Sequence, residues 1–147
     1  MIDKYKGGLS KMSDCIFCKI IQGEIPSATL YEDDTYKVIL DRFPGNEGHA
    51  LIMPKKHIAN LFELDEETAA GLFRLAVKVG KAQKEALGLT DLNLVQNNGP
   101  IAGQTVNHFH LHLIPRHEGD SVTVAWKQLD LTDEQIAAMQ EKLKQAL

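Results

Sequence analysis

The sequence predicts an α+β domain on an antiparallel sheet. Three observations carry this. β-rich runs follow one another through short turns. One long helical pattern interrupts them. The run Asn107–Arg116, "NHFHLHLIPR", alternates histidine with apolar residues at a period of two. Neighbouring strands joined by turns pair antiparallel, whereas a parallel sheet needs a crossover between each pair. At 147 residues the chain is long enough for one domain with a hydrophobic core.

The elements follow in order. Asp14 is a candidate N-cap and Gly23 a stop, enclosing a short helix in "DCIFCKIIQG". In "SATLYEDDTYKVILD", two β-rich runs flank Asp33-Asp34-Thr35 and predict a hairpin. "FPGNEG" is turn chemistry, and "HALIMP", His49 to Pro54, is a short buried strand. From Asp65 to Leu87, Ala69, Leu72, Phe73, Ala76 and Val79 recur at helical steps, with Gly88 as the stop. Leu92 to Gln96 reads as a strand, Asn97 to Gln104 as a loop, and the histidine run as a strand ended by Pro115. Thr132 and Gln135 make a capping box for a last helix with Ile136, Met139 and Leu143 on its apolar stripe.

Composition narrows the function. The net charge of −4 gives no basic surface for a nucleic-acid backbone, although a local pocket can still be cationic for a small phosphorylated ligand. No apolar run is long enough to span a membrane, and the lysine-bearing start has no apolar stretch behind it. Two cysteines, Cys15 and Cys18, do not make a secreted disulfide scaffold. These features predict a cytoplasmic protein without nucleic-acid or membrane partners. "GGLS" before Met12 predicts a flexible tail over residues 1–13, with Met12 a second candidate start, ahead of a single domain over 14–147.

In a strand, His108, His110 and His112 share one face, spaced roughly 6–7 Å apart, while Phe109, Leu111 and Leu113 share the other. Such a row suits a solvated face, a metal site or phosphoryl chemistry, since imidazole serves as ligand, nucleophile and proton donor. The preceding loop favours the last. Gly103 lets a backbone amide approach an anion, and Gln104 and Thr105 offer donors. No carboxylates typical of a hydrolytic metal centre stand nearby.

"AGQTVNHFHLHLIPR" resembles the signature of the histidine triad family, and "GHALIMPKKHIANL" resembles its second block. "CIFCKIIQGEIPS" is similar to the start of bacterial members, and "VILDRFP" to the strand carrying a ribose-contacting aspartate. The likeness covers about Asp14 to Trp126 and is strongest to the nucleotide-binding, purine nucleoside phosphoramidase-like branch. It implies a five-stranded antiparallel sheet with one long helix and short terminal helices, doubled in a homodimer into ten strands. It also implies attack by the middle histidine on the α-phosphorus, a nucleotidyl-histidine intermediate, and release of a nucleoside monophosphate without catalytic metal.

By this resemblance His110 is the nucleophile, His112 holds phosphate oxygens, His108 orients its neighbours and His49 supports the nucleophile, with a hydrogen-bonded core histidine as the plain alternative for His49. Asp41 would bind ribose hydroxyls, with a turn-capping aspartate as the plain alternative. Asn97, Gly103, Gln104 and Thr105 would meet phosphate or ribose. Ile16, Phe17 and Ile20 would wall the base of a purine nucleotide, or simply be core. Asn107 departs from the apolar or aromatic residue common before the first histidine. Cys15-x-x-Cys18 suits half of a zinc site. Some relatives complete it with histidines that correspond to His57 and His108, as a structural site remote from the phosphate. Two buried thiols are the alternative. The implied activity is hydrolysis of nucleoside phosphoramidates or related adenylates. Hydrolysis of dinucleoside polyphosphates, or a binding role with little turnover, are the competing readings.

Overall fold

A computed structural model describes residues 14–147. The tail expected over 1–13 lies outside the described residues. Helix α1 (Ile16–Ile21) precedes strands β1 (Thr29–Glu32), β2 (Tyr36–Leu40) and β3 (Ala50–Pro54). A 3-10 turn at Leu61–Glu63 leads into helix α2 (Glu66–Leu87) and then β4 (Asp91–Val95). A second 3-10 turn at Pro100–Ala102 precedes β5 (Leu111–Arg116), and helix α3 (Asp133–Lys144) follows. The strands form one five-stranded antiparallel sheet in the order β1-β2-β3-β5-β4. The sequence-predicted α+β architecture is therefore present.

Period-two alternation divides the sheet between two cores. Val38, Ala50, Ile52, Phe109, Leu111 and Leu113 face α2 and pack with Leu72, Ala76 and Val79. Ile39, Leu51 and Met53 face the other way and pack with Phe17, Cys18 and Ile20 of α1. Burying each of the large side chains stabilises the fold by about 1.5–3 kcal/mol. The histidines leave the strand on the α1 side, so the site forms between that short helix and the sheet.

Several boundaries differ from expectation for local reasons. Cys15, not Asp14, caps α1, because its Sγ accepts from the backbone N–H of Cys18 at 3.4 Å. Phe73 is 56% exposed. The buried stripe of α2 runs Leu72, Leu75, Ala76, Val79, Gln83, which places Phe73 one step around the helix. β4 starts at Asp91 and ends at Val95. β5 runs through Pro115 to Arg116, and its pairing with β3 begins only at Ile52↔Leu111, so His108 and His110 precede the ladder. Gly88 ends α2 in the left-handed region at φ 64°, and the Thr132–Gln135 capping box starts α3, both as expected.

Two braces fix the chain beneath the site. Gln83 of α2 donates to the carbonyls of Gly48 and Leu113 at 2.8 and 3.2 Å. Arg116 clasps Asp120 with two bonds of 2.7 and 2.8 Å, and Asn46 donates to Asp120 and to the Pro115 carbonyl, both at 2.8 Å. Both hold the turn that delivers His49.

Candidate active site

A cavity of about 890 Å³ opens between α1, the end of β2 and the histidine segment. Ile16, Phe17 and Ile20 form one wall, Asp41 and Thr105 stand at its edge, and His110 and His112 form its floor. His49 lies directly behind His112. Ser27, Leu51, Arg42, Phe43 and Val106 also line it, and sequence reasoning did not single them out. Phe43 and Arg42 follow Asp41 directly, which was the available signal. The structure does not bring Asn97, Gly103 or Gln104 to the cavity wall. Gln104 braces its own loop, donating to the carbonyls of Ala59 and Val106 at 2.7 and 3.0 Å and accepting from Gly99 N–H at 2.8 Å. Asn97 reaches only the Gly103 carbonyl, at 3.5 Å.

Hydrogen bonds fix the histidine tautomers. The backbone carbonyl of His108 can only accept, so His110 donates to it from Nδ1 at 2.6 Å. That leaves the lone pair of His110 Nε2 bare among the described residues. The backbone N–H of Gly45 can only donate, so His49 accepts at Nδ1, at 3.0 Å, and carries its proton on Nε2. That proton is donated to His112 Nδ1 at 2.9 Å, which in turn places the His112 proton on Nε2. Burial is the first cause lowering the pKa of His49, His110 and His112, the last to about 4. All three are therefore neutral near pH 7. The rings of His110 and His112 lie 4.8 Å apart, and Phe17 meets His110 edge-on at 4.9 Å. Asp41 caps its turn and also approaches the histidines. Its Oδ1 accepts from Phe43 N–H at 2.9 Å, and its Oδ2 stands 3.6 Å from His49 Nε2.

His108 turns away from the cavity and is fully buried. Its Nδ1 stands 3.5 Å from Cys15 Sγ and 3.6 Å from Cys18 Sγ, while Cys18 Sγ is 3.3 Å from His57 Nδ1. A tetrahedral zinc with ordinary Zn–S and Zn–N bonds separates S and N by roughly 3.6 Å. The four donor atoms lie within 4.8 Å of one another, so the set fits such an ion. His108 Nε2 also donates to the Pro54 carbonyl at 2.8 Å, the outer bond typical of a ligating histidine. Burial and the neighbouring Cys15 push the Cys18 thiol up to about 12, so deprotonation there calls for a cation.

Asp41, His49 and His112 form a second group of similar compactness. It fits a metal badly. A ligating histidine normally donates from its other nitrogen, but the other nitrogen of His49 faces the Gly45 N–H donor.

A five-stranded antiparallel sheet with three alternating histidines, two of them lining an apolar cavity, is the pattern of a histidine triad domain. The HIT domain model matches residues 22–119, and the chain belongs to this family. It is 41% identical over 130 residues to the adenosine 5'-monophosphoramidase of Schizosaccharomyces pombe, covering 88% of this chain and 95% of that one. The structure of a HIT family protein from Bacillus anthracis superposes with TM-score 0.86 at 39% identity, over 91% of this chain and 97% of that one. A Zn-bound histidine triad family protein from Mycobacterium smegmatis superposes with TM-score 0.71 at 33% identity, over 92% and 99%.

Proposed function

We propose that this protein is a nucleotide hydrolase that cleaves nucleoside 5'-phosphoramidates or related adenylates through a nucleotidyl-His110 intermediate. The observation that carries this is the bare Nε2 of His110, fixed by the bond from its Nδ1 to the His108 carbonyl and facing the cavity beside a protonated His112 Nε2. Relatives named adenosine 5'-monophosphoramidase support the substrate class.

The purine lies against Ile16, Phe17 and Ile20, and the ribose hydroxyls reach Asp41. The α-phosphate sits between His110 and His112, with Thr105 at its edge. His110 Nε2 attacks phosphorus, the P–N bond to the amine breaks, and the amine takes a proton from solvent as it leaves. His112 Nε2–H donates to a phosphoryl oxygen where charge gathers. Water then attacks the nucleotidyl-His110 and gives up a proton to solvent, the electron pair of the N–P bond returns to Nε2, and the nucleoside monophosphate departs. Asn97, Gly103 and Gln104 act by shaping the loop that carries Thr105.

The cluster of Cys15, Cys18, His57 and His108 is read as a zinc site. Cys15, Cys18, His57 and His108 would hold the ion between α1 and the histidine segment, where it would supply structural cross-linking rather than phosphoryl-transfer chemistry. The protein is read as a homodimer. β4 is an open sheet edge, and α3 leaves Ile136, Met139 and Leu143 exposed without a partner among the described residues. No described helix is long and apolar enough to cross a membrane, and we read the protein as cytoplasmic, with a tail over 1–13 and one domain over 14–147.

The test is steady-state turnover of adenosine 5'-phosphoramidate beside diadenosine tetraphosphate, with acid quenching to trap adenylylated protein. Faster turnover of the phosphoramidate and a label on His110 are expected. Faster turnover of the tetraphosphate would transfer the assignment to dinucleoside polyphosphates, and turnover of neither would leave a binding role.

A further inference from the structure

We propose that Cys15, Cys18 and His57 are positioning residues for His110, acting from outside the cavity through His108 and Phe17. The hydrolase reading is needed only for the rate arm of the test. None of the four Cys/His cluster residues lines the cavity that holds His110. Yet His108 supplies the carbonyl that takes the His110 Nδ1 proton at 2.6 Å. Whatever fixes residue 108 therefore fixes the direction of the nucleophilic lone pair.

The sheet does not do this. Pairing of β5 with β3 starts at Leu111, so residues 108–110 lie ahead of the ladder. The segment has two backbone anchors, His108 N–H to the Val106 carbonyl at 2.9 Å and Phe109 N–H to the Ile58 carbonyl at 2.6 Å. The His108 ring adds the rest. Its Nε2 is tied to the Pro54 carbonyl, and its Nδ1 points between the two sulfurs. A cation joining Nδ1 to both thiolates and to His57 would stop the ring from sliding, and the main chain with it.

The same cluster acts by a second route. Phe17 lies between the two cysteines in sequence, and its ring meets both His108 and His110 edge-on, at 5.9 and 4.9 Å. Helix α1 has only six residues, too short to hold its place by its own hydrogen bonds. Cys15 at its cap and Cys18 one turn later pin it at the point where Phe17 leans on the nucleophile. The cluster thus reaches the nucleophile without entering the cavity.

The experiment uses the whole chain, loaded with zinc, stripped by a chelator and reloaded, below the unfolding temperature of the stripped form. Proton NMR reads the His110 Nδ1–H resonance, which a bond this short displaces downfield. Kinetics on adenosine 5'-phosphoramidate separate kcat from KM. Stripping is expected to shift or broaden that resonance and lower kcat at least tenfold while circular dichroism stays native, and zinc restores both. A role confined to stability leaves the resonance in place and kcat within twofold once the chain is folded, which overturns the proposal. So does failure to take up one zinc per chain. If the stripped chain unfolds, Cys15→His carries the test, since it keeps four ligands but alters the reach to α1. An unmoved resonance with unchanged kcat in that variant is likewise fatal. Should no phosphoramidate be turned over, the hydrolase reading fails while the resonance still decides the positioning.

Discussion

His49→Ala tests the relay that sets the tautomers. His49 is buried, accepts from Gly45 N–H at 3.0 Å and donates to His112 Nδ1 at 2.9 Å. Alanine removes both bonds and leaves a void behind His112. Two lost hydrogen bonds in a part-buried setting cost about 2–3 kcal/mol of stability, since each is worth about 1 kcal/mol net and an unpaired partner adds to that. The chemical effect is separate. With Nδ1 unoccupied, the His112 proton is free to sit on either nitrogen, and the oriented donor to the phosphoryl oxygen is lost. Losing one such preorganised donor lowers kcat by about a hundredfold. Urea unfolding gives the first quantity and phosphoramidate kinetics the second, and nitrogen NMR shifts of His112 report the tautomer directly. A variant that keeps more than half the wild-type kcat, or whose His112 still carries its proton solely on Nε2, would refute the relay.

His110→Ala is expected to lower turnover by roughly three orders of magnitude or more, with adenosine monophosphate binding retained, because it removes the covalent route. Retention of more than about a tenth of the activity, under ~1.4 kcal/mol in the barrier, would show that the nucleophile lies elsewhere. Burial holds His112 at about 4 in the folded chain, against roughly 6.5 when unfolded. Between those values the unfolded chain binds a proton that the folded chain does not. Stability therefore falls as pH drops from about 6.5 to 4, by up to roughly 3 kcal/mol from this residue, and the contribution levels off below. Urea midpoints of wild type and His112→Asn should converge over that range, and parallel curves would contradict the assignment. Gly71→Ala sets packing against propensity. Alanine in a helix interior normally gains about 1 kcal/mol over glycine. Here a Cβ would collide with the ring and hydroxyl of Tyr36, which donates to the Thr68 carbonyl at 3.2 Å. A loss of about 1–3 kcal/mol is expected in urea unfolding, and a stabilised variant would be the refuting result. Light scattering should give twice the chain mass at micromolar protein, and a monomer would remove the dimer.

The fold was readable where a pattern has one physical meaning. Phe109, Leu111 and Leu113 at period two had to share a core face, and they do. Gly88 stops α2 as the pattern required, and the helix begins within one residue of Asp65. Reading failed where a neighbour in space decides. Phe73 matched a helical step, but the contact surface of β3 and β5 selects the Leu72–Leu75 stripe instead. Pro115 lacks an N–H and still sits inside β5, opposite Leu92. Gln104 looked like a phosphate donor by composition. Its amide instead closes a loop whose backbone groups would otherwise go unpaired, a demand set by Ala59, forty-five positions away.

The histidines show the same limit more sharply. Period two puts His108, His110 and His112 on one side of the chain, and that much follows from sequence alone. What each ring does depends on which of its nitrogens is occupied, and by what. A carbonyl at Nδ1 makes His110 a lone-pair donor. A histidine N–H at Nδ1 makes His112 a proton donor. A carbonyl at Nε2 and two sulfurs at Nδ1 suit His108 to ligation instead. In the proposed reaction these three identical side chains take the roles of nucleophile, electrophilic support and anchor through partners drawn from β3, the Gly45 turn and α1. One of those partners is the main chain of the triad itself. The His108 carbonyl joins the anchor to the nucleophile, so the first and second histidines are coupled through a bond that no side-chain pattern records.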